Sequence, residues 1–258
     1  MNKNERLSRI FDMVKRENGV PIQVLAQQLD VSHMTIRRDL ESLVEDNMVK
    51  LIHGGVILNP ELKDDKNEYP YSLNVAGSLH AEEKRRIGAL AASLVEEDDT
   101  LIIDSGSTTE YLAKNLPQDT QITVITYALN IITEIATLDN IRLVCPGGSF
   151  HTNLLMFESP EGRELIERHR ATKAFVSAAG VHNEFGVTCS NAYERDTKRS
   201  AIDSAAKRVL IADSSKFGVI RSDYFADLDA FDVVVTDEGL DPAFKSSLEE
   251  LGIEVLLA

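Results

Sequence analysis

From residue 80 onwards, short apolar runs alternate with amphipathic stretches of helical period, and this alternation limits the possible folds more than any other feature. The runs at 100–104, 122–126, 141–145, 174–177, 209–213, 232–236 and 253–257 read as strands. The stretches at 81–95, 108–116, 128–137, 159–169, 193–206 and 241–251 read as helices. A strand joined to the next through a helix returns to the same end of the sheet, so the pair is parallel. The pattern predicts a Rossmann-like, mostly parallel α/β sheet with helices on both faces. In such sheets ligands collect at the carboxyl ends of the strands, so the loops there should converge.

The first 58 residues follow another rule. Leu7, Ile10, Phe11 and Val14 fall on one face of a helix, which Asn18-Gly19 ends. A second short helix covers 22–29, with Val24, Leu25 and Leu29 apolar. Asp30-Val31-Ser32 reads as a tight turn, and Ser32 suits the N-cap of a third helix from His33 to about Glu45. Its core side is expected to be Ile36, Leu40, Leu43 and Val44. Residues 48–58 alternate weakly around Gly54-Gly55 and read as a small hairpin. Helix, short helix, turn, helix and hairpin make a winged helix-turn-helix. Residues 59–79 lack a period, and Asp64, Asp65, Lys66, Asn67 and Pro70 mark a linker. The expected plan is 1–58 as one domain, 59–79 as linker and 80–258 as a second domain.

A net charge of −15 argues at first against a nucleic-acid partner, but its distribution matters more. Residues 1–58 balance eight Lys and Arg against eight Asp and Glu, so the whole excess of acid lies beyond them. A neutral N-terminal domain can still present a local basic face, and nearby acid discourages indiscriminate phosphate binding. Cys145 and Cys189 fit a reducing compartment and sit in no metal-ligand spacing. No apolar run approaches the ~20 residues needed to span a bilayer, and the start leads into an amphipathic pattern. The expectation is a cytoplasmic protein with no membrane partner, no metal and no cofactor.

In a helix-turn-helix the third helix enters the major groove by its N-terminal residues. With Ile36, Leu40 and Leu43 inward, Met34, Thr35, Arg38 and Ser42 point away, with His33 and Arg37 on the flanks. Arg38 suits a bidentate contact to guanine, and Thr35 a thymine methyl or a phosphate. Arg37, and Lys50 and His53 on the wing, suit phosphate contacts. The expected DNA contacts are Ser32, His33, Met34, Thr35, Arg37, Arg38, Lys50 and His53. Arg37 and Arg38 would equally suit a solvated face paired with Asp39 and Glu41.

In the second domain, the strand ending at Asp104 runs through Ser105 into Gly106, Ser107, Thr108 and Thr109. Small and hydroxyl residues between a strand end and a helix N-terminus can cradle a phosphate. The same residues would also make an ordinary capped turn, and the spacing is not that of an ATP-binding P-loop. Lys216, beyond the strand at 209–213, could pair with the same phosphate or stay a surface lysine. Gly147 and Gly148 follow another strand end, as do Tyr127 and Asn130, where Tyr127 could equally be packing.

The run Val31-Ser32-His33-Met34-Thr35-Ile36-Arg37-Arg38-Asp39-Leu40, with His53-Gly54-Gly55, resembles the signature of the DeoR family of bacterial transcriptional regulators. The likeness continues through Glu82-Glu83-Lys84-Arg85, Asp104 to Thr109, Pro146-Gly147-Gly148, Ser177 to Gly180, and Asp213 to Gly218. It departs at Asn47, where the family often has Gly, and at Leu51, where many members carry a wing Arg. The resemblance implies a winged helix-turn-helix ahead of a sugar-phosphate sensor domain that also oligomerises. That sensor is similar to ribose-5-phosphate isomerase. By this likeness, residues 106–109 and Lys216 hold the phosphate, and Gly180 and Lys198 join the effector contacts. The isomerase's acidic motif falls on Ser177 to Gly180, which has no carboxylate, and its catalytic glutamate falls near Glu194 to Lys198.

The resulting expectation is a repressor of a sugar or nucleoside catabolic operon. Its partners would be double-stranded operator DNA, further copies of itself in a dimer or higher oligomer, and a phosphorylated sugar such as deoxyribose 5-phosphate. One alternative is a phosphosugar isomerase fused to a DNA-binding domain. A proton shuttle between adjacent carbons needs positioned carboxylates, and apart from Glu194 these are expected to be missing. Another alternative is an adaptor whose winged helix meets protein, against which the Arg37-Arg38 face argues.

Overall fold

The computed structural model describes residues 2–17, 20–46, 48–52, 55–58, 73 and 79–258. The expectations placed on Asn18-Gly19, Asn47, His53, Gly54 and nearly all of the 59–79 linker lie outside these residues. The chain forms two compact units, residues 1–79 and 80–258.

The first unit holds α1 (Lys3–Glu17), β1 (Val20–Pro21), α2 (Ile22–Gln28), α3 (His33–Glu45), β2 (Val49–Ile52) and β3 (Gly55–Leu58). Ile10, Val14, Leu25, Ile36, Leu40 and Val56 are fully buried and bring the three helices and the wing onto one core. Each such side chain contributes about 1.5–3 kcal/mol of transfer free energy. Ser32 caps α3 by accepting the Thr35 amide at 3.1 Å. β2 and β3 pair antiparallel, Lys50 opposite Ile57. Residues 20–21, to which the sequence assigned no element, add a third strand on β3.

Val44 is a correction: it is exposed, not core. At 3.6 residues per turn it lies about 80° from Ile36, at the edge of the apolar stripe. The opposite edge is filled by Asp39, which is 1% exposed and ion-paired with Arg6.

The second unit contains all seven expected strands in a single parallel sheet. They are β4 (Thr100–Ile103), β5 (Ile122–Ile125), β6 (Ile141–Val144), β9 (Ala171–Ser177), β12 (Ala205–Ile211), β14 (Val233–Thr236) and β15 (Glu254–Leu257), in the order β15-β14-β12-β9-β4-β5-β6. The helices are α4 (Ala81–Ala92), α5 (Ser107–Lys114), α6 (Leu129–Ile135), α7 (Pro160–Arg168), α8 (Ala192–Asp203) and α9 (Pro242–Glu250). Leu101, Ile102 and Ile103 are wholly buried, as a central parallel strand covered on both faces must be. From β4 the chain steps outward through β5 to β6, then returns to β9 and steps the other way. The reversal lies between β4 and β9.

Two features were absent from the sequence reading. A hairpin joins β7 (Ser149–His151) to β8 (Met156–Glu158). A small antiparallel sheet joins β10 (Gly180–His182), β11 (Gly186–Cys189) and β13 (Asp223–Ala226). Among the described residues no helix is long and apolar enough to cross a membrane, and no His, Cys, Asp and Glu group could hold a metal ion.

Candidate functional site

On α3, His33, Met34, Arg37 and Arg38 are exposed, and Met34 shows 66% of its surface. Asp39 does not pair with the two arginines, because both its oxygens are held by Arg6 at 2.5 and 3.1 Å. Among the described residues Arg37 and Arg38 make no ion pair, so their guanidinium groups face solvent uncommitted. Ser32 and Thr35 are tied together, their hydroxyls 2.9 Å apart, at the helix start. Lys50 is exposed on the wing, and Leu51 beside it is 45% exposed.

In the second unit the strand reversal brings Asp104, at the end of β4, against Ser177, at the end of β9. Asp104 Oδ2 accepts from the Ser177 amide at 2.8 Å, the Ser177 hydroxyl at 2.9 Å and Lys198 Nζ at 2.5 Å. Its Oδ1 accepts from the Tyr127 hydroxyl at 2.6 Å. The carboxylate, expected among the effector contacts, is 1% exposed and accepts four hydrogen bonds from the protein, so it shapes the site from within. Burial, reinforced by Asp104, holds the Tyr127 hydroxyl well above its usual pKa, so it stays a donor. Burial pulls the Lys198 pKa down, but Asp104 and Glu194 outweigh it and keep the ammonium charged.

Glu194 opens α8 in a capping box. Its Oε1 accepts from the Asn191 amide and side chain at 3.0 and 2.9 Å, and its Oε2 lies 3.8 Å from Lys198. Burial raises its pKa. The expectation that Glu194 lacks a neighbouring acid is thus corrected: Asp104 supplies one, from β4 and not from residues 177–180. Burial likewise pushes the nearby Cys189 thiol up to about 12, which leaves it an inert core group.

Gly106 leads into α5. A Cβ there would meet the Ser177 side chain at 2.8 Å, so the close approach of the two strand ends requires glycine. Ser107, Thr108 and Thr109 are buried at the N-terminus of α5, where the first N–H groups have no helical acceptor. Thr109 donates to the Gly106 carbonyl at 2.9 Å. The Ser105 hydroxyl and the Asn130 side-chain oxygen are both buried with no hydrogen-bond partner. Ser105 was not among the expected contacts; of the hydroxyls in this loop, it is the one that is fully buried without a partner.

Lys216 lies in a short 3₁₀ turn after β12, 4.0 Å from Asp213. Asp213 is shared with Lys84 of α4, at 3.7 Å, which is 1% exposed and also absent from the expected contacts. The ends of β12 and β4 are two strand spacings apart, about 10 Å. α4 and α5 both run antiparallel to β4 and pack closely, with Gly88 against Tyr111. One turn back, Lys84 therefore faces the Ser107 end of α5.

The remaining expected contacts fall elsewhere. Gly180 is a strand residue of the small sheet, its carbonyl accepting from Thr188. Gly147 and Gly148 shape the junction between the β7–β8 hairpin and α7, with Ser159 donating to the Gly147 carbonyl. That hairpin closes on α8: His151 stacks on Tyr193 at 3.7 Å, and Tyr193 donates to Asn153.

Comparison with known proteins agrees with this two-part layout. The deoxyribose operon repressor of Escherichia coli K12 is 35% identical over 235 residues, covering 91% of this chain and 90% of that protein. The HTH-type transcriptional regulator GolR of Listeria innocua is 34% identical and covers 98% of both chains. Among solved structures, ribose 5-phosphate isomerase A of Methanocaldococcus jannaschii is similar over 53% of this chain and 54% of its own, at 15% identity and a TM-score of 0.41. The model of the DeoR-like helix-turn-helix domain matches residues 6–61, and that of the DeoR C-terminal sensor domain matches residues 79–238. The chain belongs to the DeoR family of transcriptional regulators.

Proposed function

We propose that this protein is a transcriptional repressor of a sugar or nucleoside catabolic operon, released or engaged by a phosphorylated sugar. Residues 1–58 bind operator DNA through α3 and the wing, with Arg38 and Met34 at base edges and Arg37 and Lys50 on phosphates. Residues 80–258 bind the effector and carry the self-association that matches paired half-sites. The names of the E. coli and Listeria relatives support the regulatory role. Deoxyribose 5-phosphate is the first effector to test.

The observation that carries the effector reading is the unsatisfied Ser105 hydroxyl, in the same loop as the buried Ser107 and Thr108 at the strand reversal. With Lys216, two strands away at the end of β12, these residues offer neutral donors and a cation, the chemistry of a phosphate site. The isomerase reading is less well supported. Asp104 spends all its acceptor positions on the protein, and Glu194 is held in its capping box. Neither carboxylate is poised to take a proton from a sugar carbon.

The test is a thermal-shift screen of the full chain against phosphorylated sugars, followed by operator binding with and without each hit. Coupling of ~1–3 kcal/mol would change operator affinity about 5–150-fold. A hit that stabilises the protein but leaves operator binding unchanged would sink the reading.

A further inference from the structure

Met34 is the most exposed large apolar side chain among the described residues, at 66% of its surface. It stands second in α3, just past the turn that Ser32 caps. Arg37 and Arg38 follow at i+3 and i+4, so the three side chains share one face of the helix. A lone exposed apolar side chain calls for no explanation. This one is flanked by two guanidinium groups that make no ion pair among the described residues, at the end of a helix that enters a groove by its N-terminal residues.

Its neighbours on α3 are committed to the protein. Thr35, the residue first suited to a thymine methyl, is half-buried, with its hydroxyl 2.9 Å from that of Ser32. Ser42, one turn beyond Arg38, accepts from Lys3 at 3.2 Å. Asp39 is held by Arg6. Along the row Met34, Arg38, Ser42, only the first two positions are therefore free to read a partner.

We propose that Met34 reads the C5-methyl group of a thymine in the major groove, one or two base steps from the guanine that Arg38 takes. This rests on the DNA reading above and adds a base and a spacing to it. Met34 has no charge and no donor, so it cannot hold a phosphate or a polar base edge. The thymine methyl is the one apolar group that base edges present in the major groove. The unbranched, polarizable thioether chain adapts its shape to such a target. One turn of α3 advances about 5.4 Å, roughly one and a half base steps of about 3.4 Å, which sets the spacing from Arg38. The two free guanidinium groups on the same face match a polyanion, which makes the occupant duplex DNA and not an apolar protein surface.

The probe is duplex DNA enriched by the full chain from a random-sequence pool. Each thymine of the enriched half-site is replaced in turn by deoxyuridine, which removes only the methyl group. One such replacement should weaken binding by the parent about fourfold, the worth of one buried methyl. It should leave Met34→Ala unaffected, while Met34→Leu, still apolar, should keep the loss. Arg38→Ala should lose its preference for a guanine within two base steps of that thymine. Both side chains are exposed, and melting curves check that the variants fold. If no replacement weakens the parent, or the loss is the same in Met34→Ala, the methyl reading is wrong while α3 still reads DNA. A sensitive thymine farther than two base steps from the guanine overturns the spacing. If the pool yields no enriched sequence, the DNA reading falls as well, and the exposed face of α3 belongs to an acidic protein partner.

Discussion

Arg6 grips Asp39 with two parallel hydrogen bonds, Nε to Oδ2 at 2.5 Å and Nη2 to Oδ1 at 3.1 Å, and so locks α3 onto α1. Asp39 keeps only 2% of its side chain exposed and Arg6 13%. A second tie runs from Lys3 to Ser42 at 3.2 Å. The arrangement separates the functions of neighbouring residues: Asp39 anchors α3 inward while Arg38 faces out. Breaking such a pair leaves an uncompensated buried charge. Arg6→Ala should therefore destabilise the N-terminal unit by about 3 kcal/mol. The double variant Arg6→Leu/Asp39→Leu should cost clearly less, since it leaves no orphaned carboxylate. Urea melts of both variants and the parent test this, and equal losses would contradict it.

Arg38→Ala should weaken operator binding by about 1–3 kcal/mol and relax base preference at one position. Arg37→Ala should weaken binding to all sequences more evenly and reduce the salt slope by about one. Mobility-shift titrations over a range of salt, on the operator and on single-base variants of it, separate the two. Parent-like binding by both variants would show that α3 is not the reading element.

The fold was legible where packing is continuous. The parallel strands sit between two helical layers, so runs such as Leu101-Ile102-Ile103 are apolar throughout and stand out between amphipathic helices. The small sheet was not legible. Gly180-Val181-His182 is too short for a period, and its partner strand β11 pairs in turn with β13, far along the chain. The site was legible at its backbone-determined parts, where a strand end with Gly106 and three hydroxyl residues precedes a helix. Lys84 was hidden for the opposite reason. It sits among Glu82, Glu83, Arg85 and Arg86 and looks like a solvated face, yet long-range contact with Asp213 buries it. Arg6 and Asp39, 33 residues apart, were hidden in the same way.

Lys216→Ala should raise the effector's dissociation constant roughly 10–150-fold, the equivalent of a charged hydrogen bond of ~1.5–3 kcal/mol. The sugar without its phosphate should bind the parent poorly. Calorimetry with both sugars on parent and variant measures this. Equal affinity for the two sugars would remove the argument for a phosphate cradle.

Lys84 should also set how the folded chain responds to alkali. Its folded-state pKa of about 8 lies below the ordinary lysine value of 10.5 because burial outweighs the pull of Asp213. Between those values the unfolded chain holds more protons than the folded one. Stability attributable to this residue should therefore rise with pH through that window. Below pH 8 the lysine is charged in both states and its burial penalty applies in full; above 10.5 it is neutral in both and the penalty is gone. In Lys84→Met the titration is absent. Comparing urea midpoints of parent and variant at pH 7, 8, 9 and 10 isolates the effect from every other group that titrates there. The parent should gain on the variant steadily above pH 8. A difference that stays constant from pH 7 to 10 would mean that Lys84 holds its proton throughout, and that Asp213 compensates its burial completely.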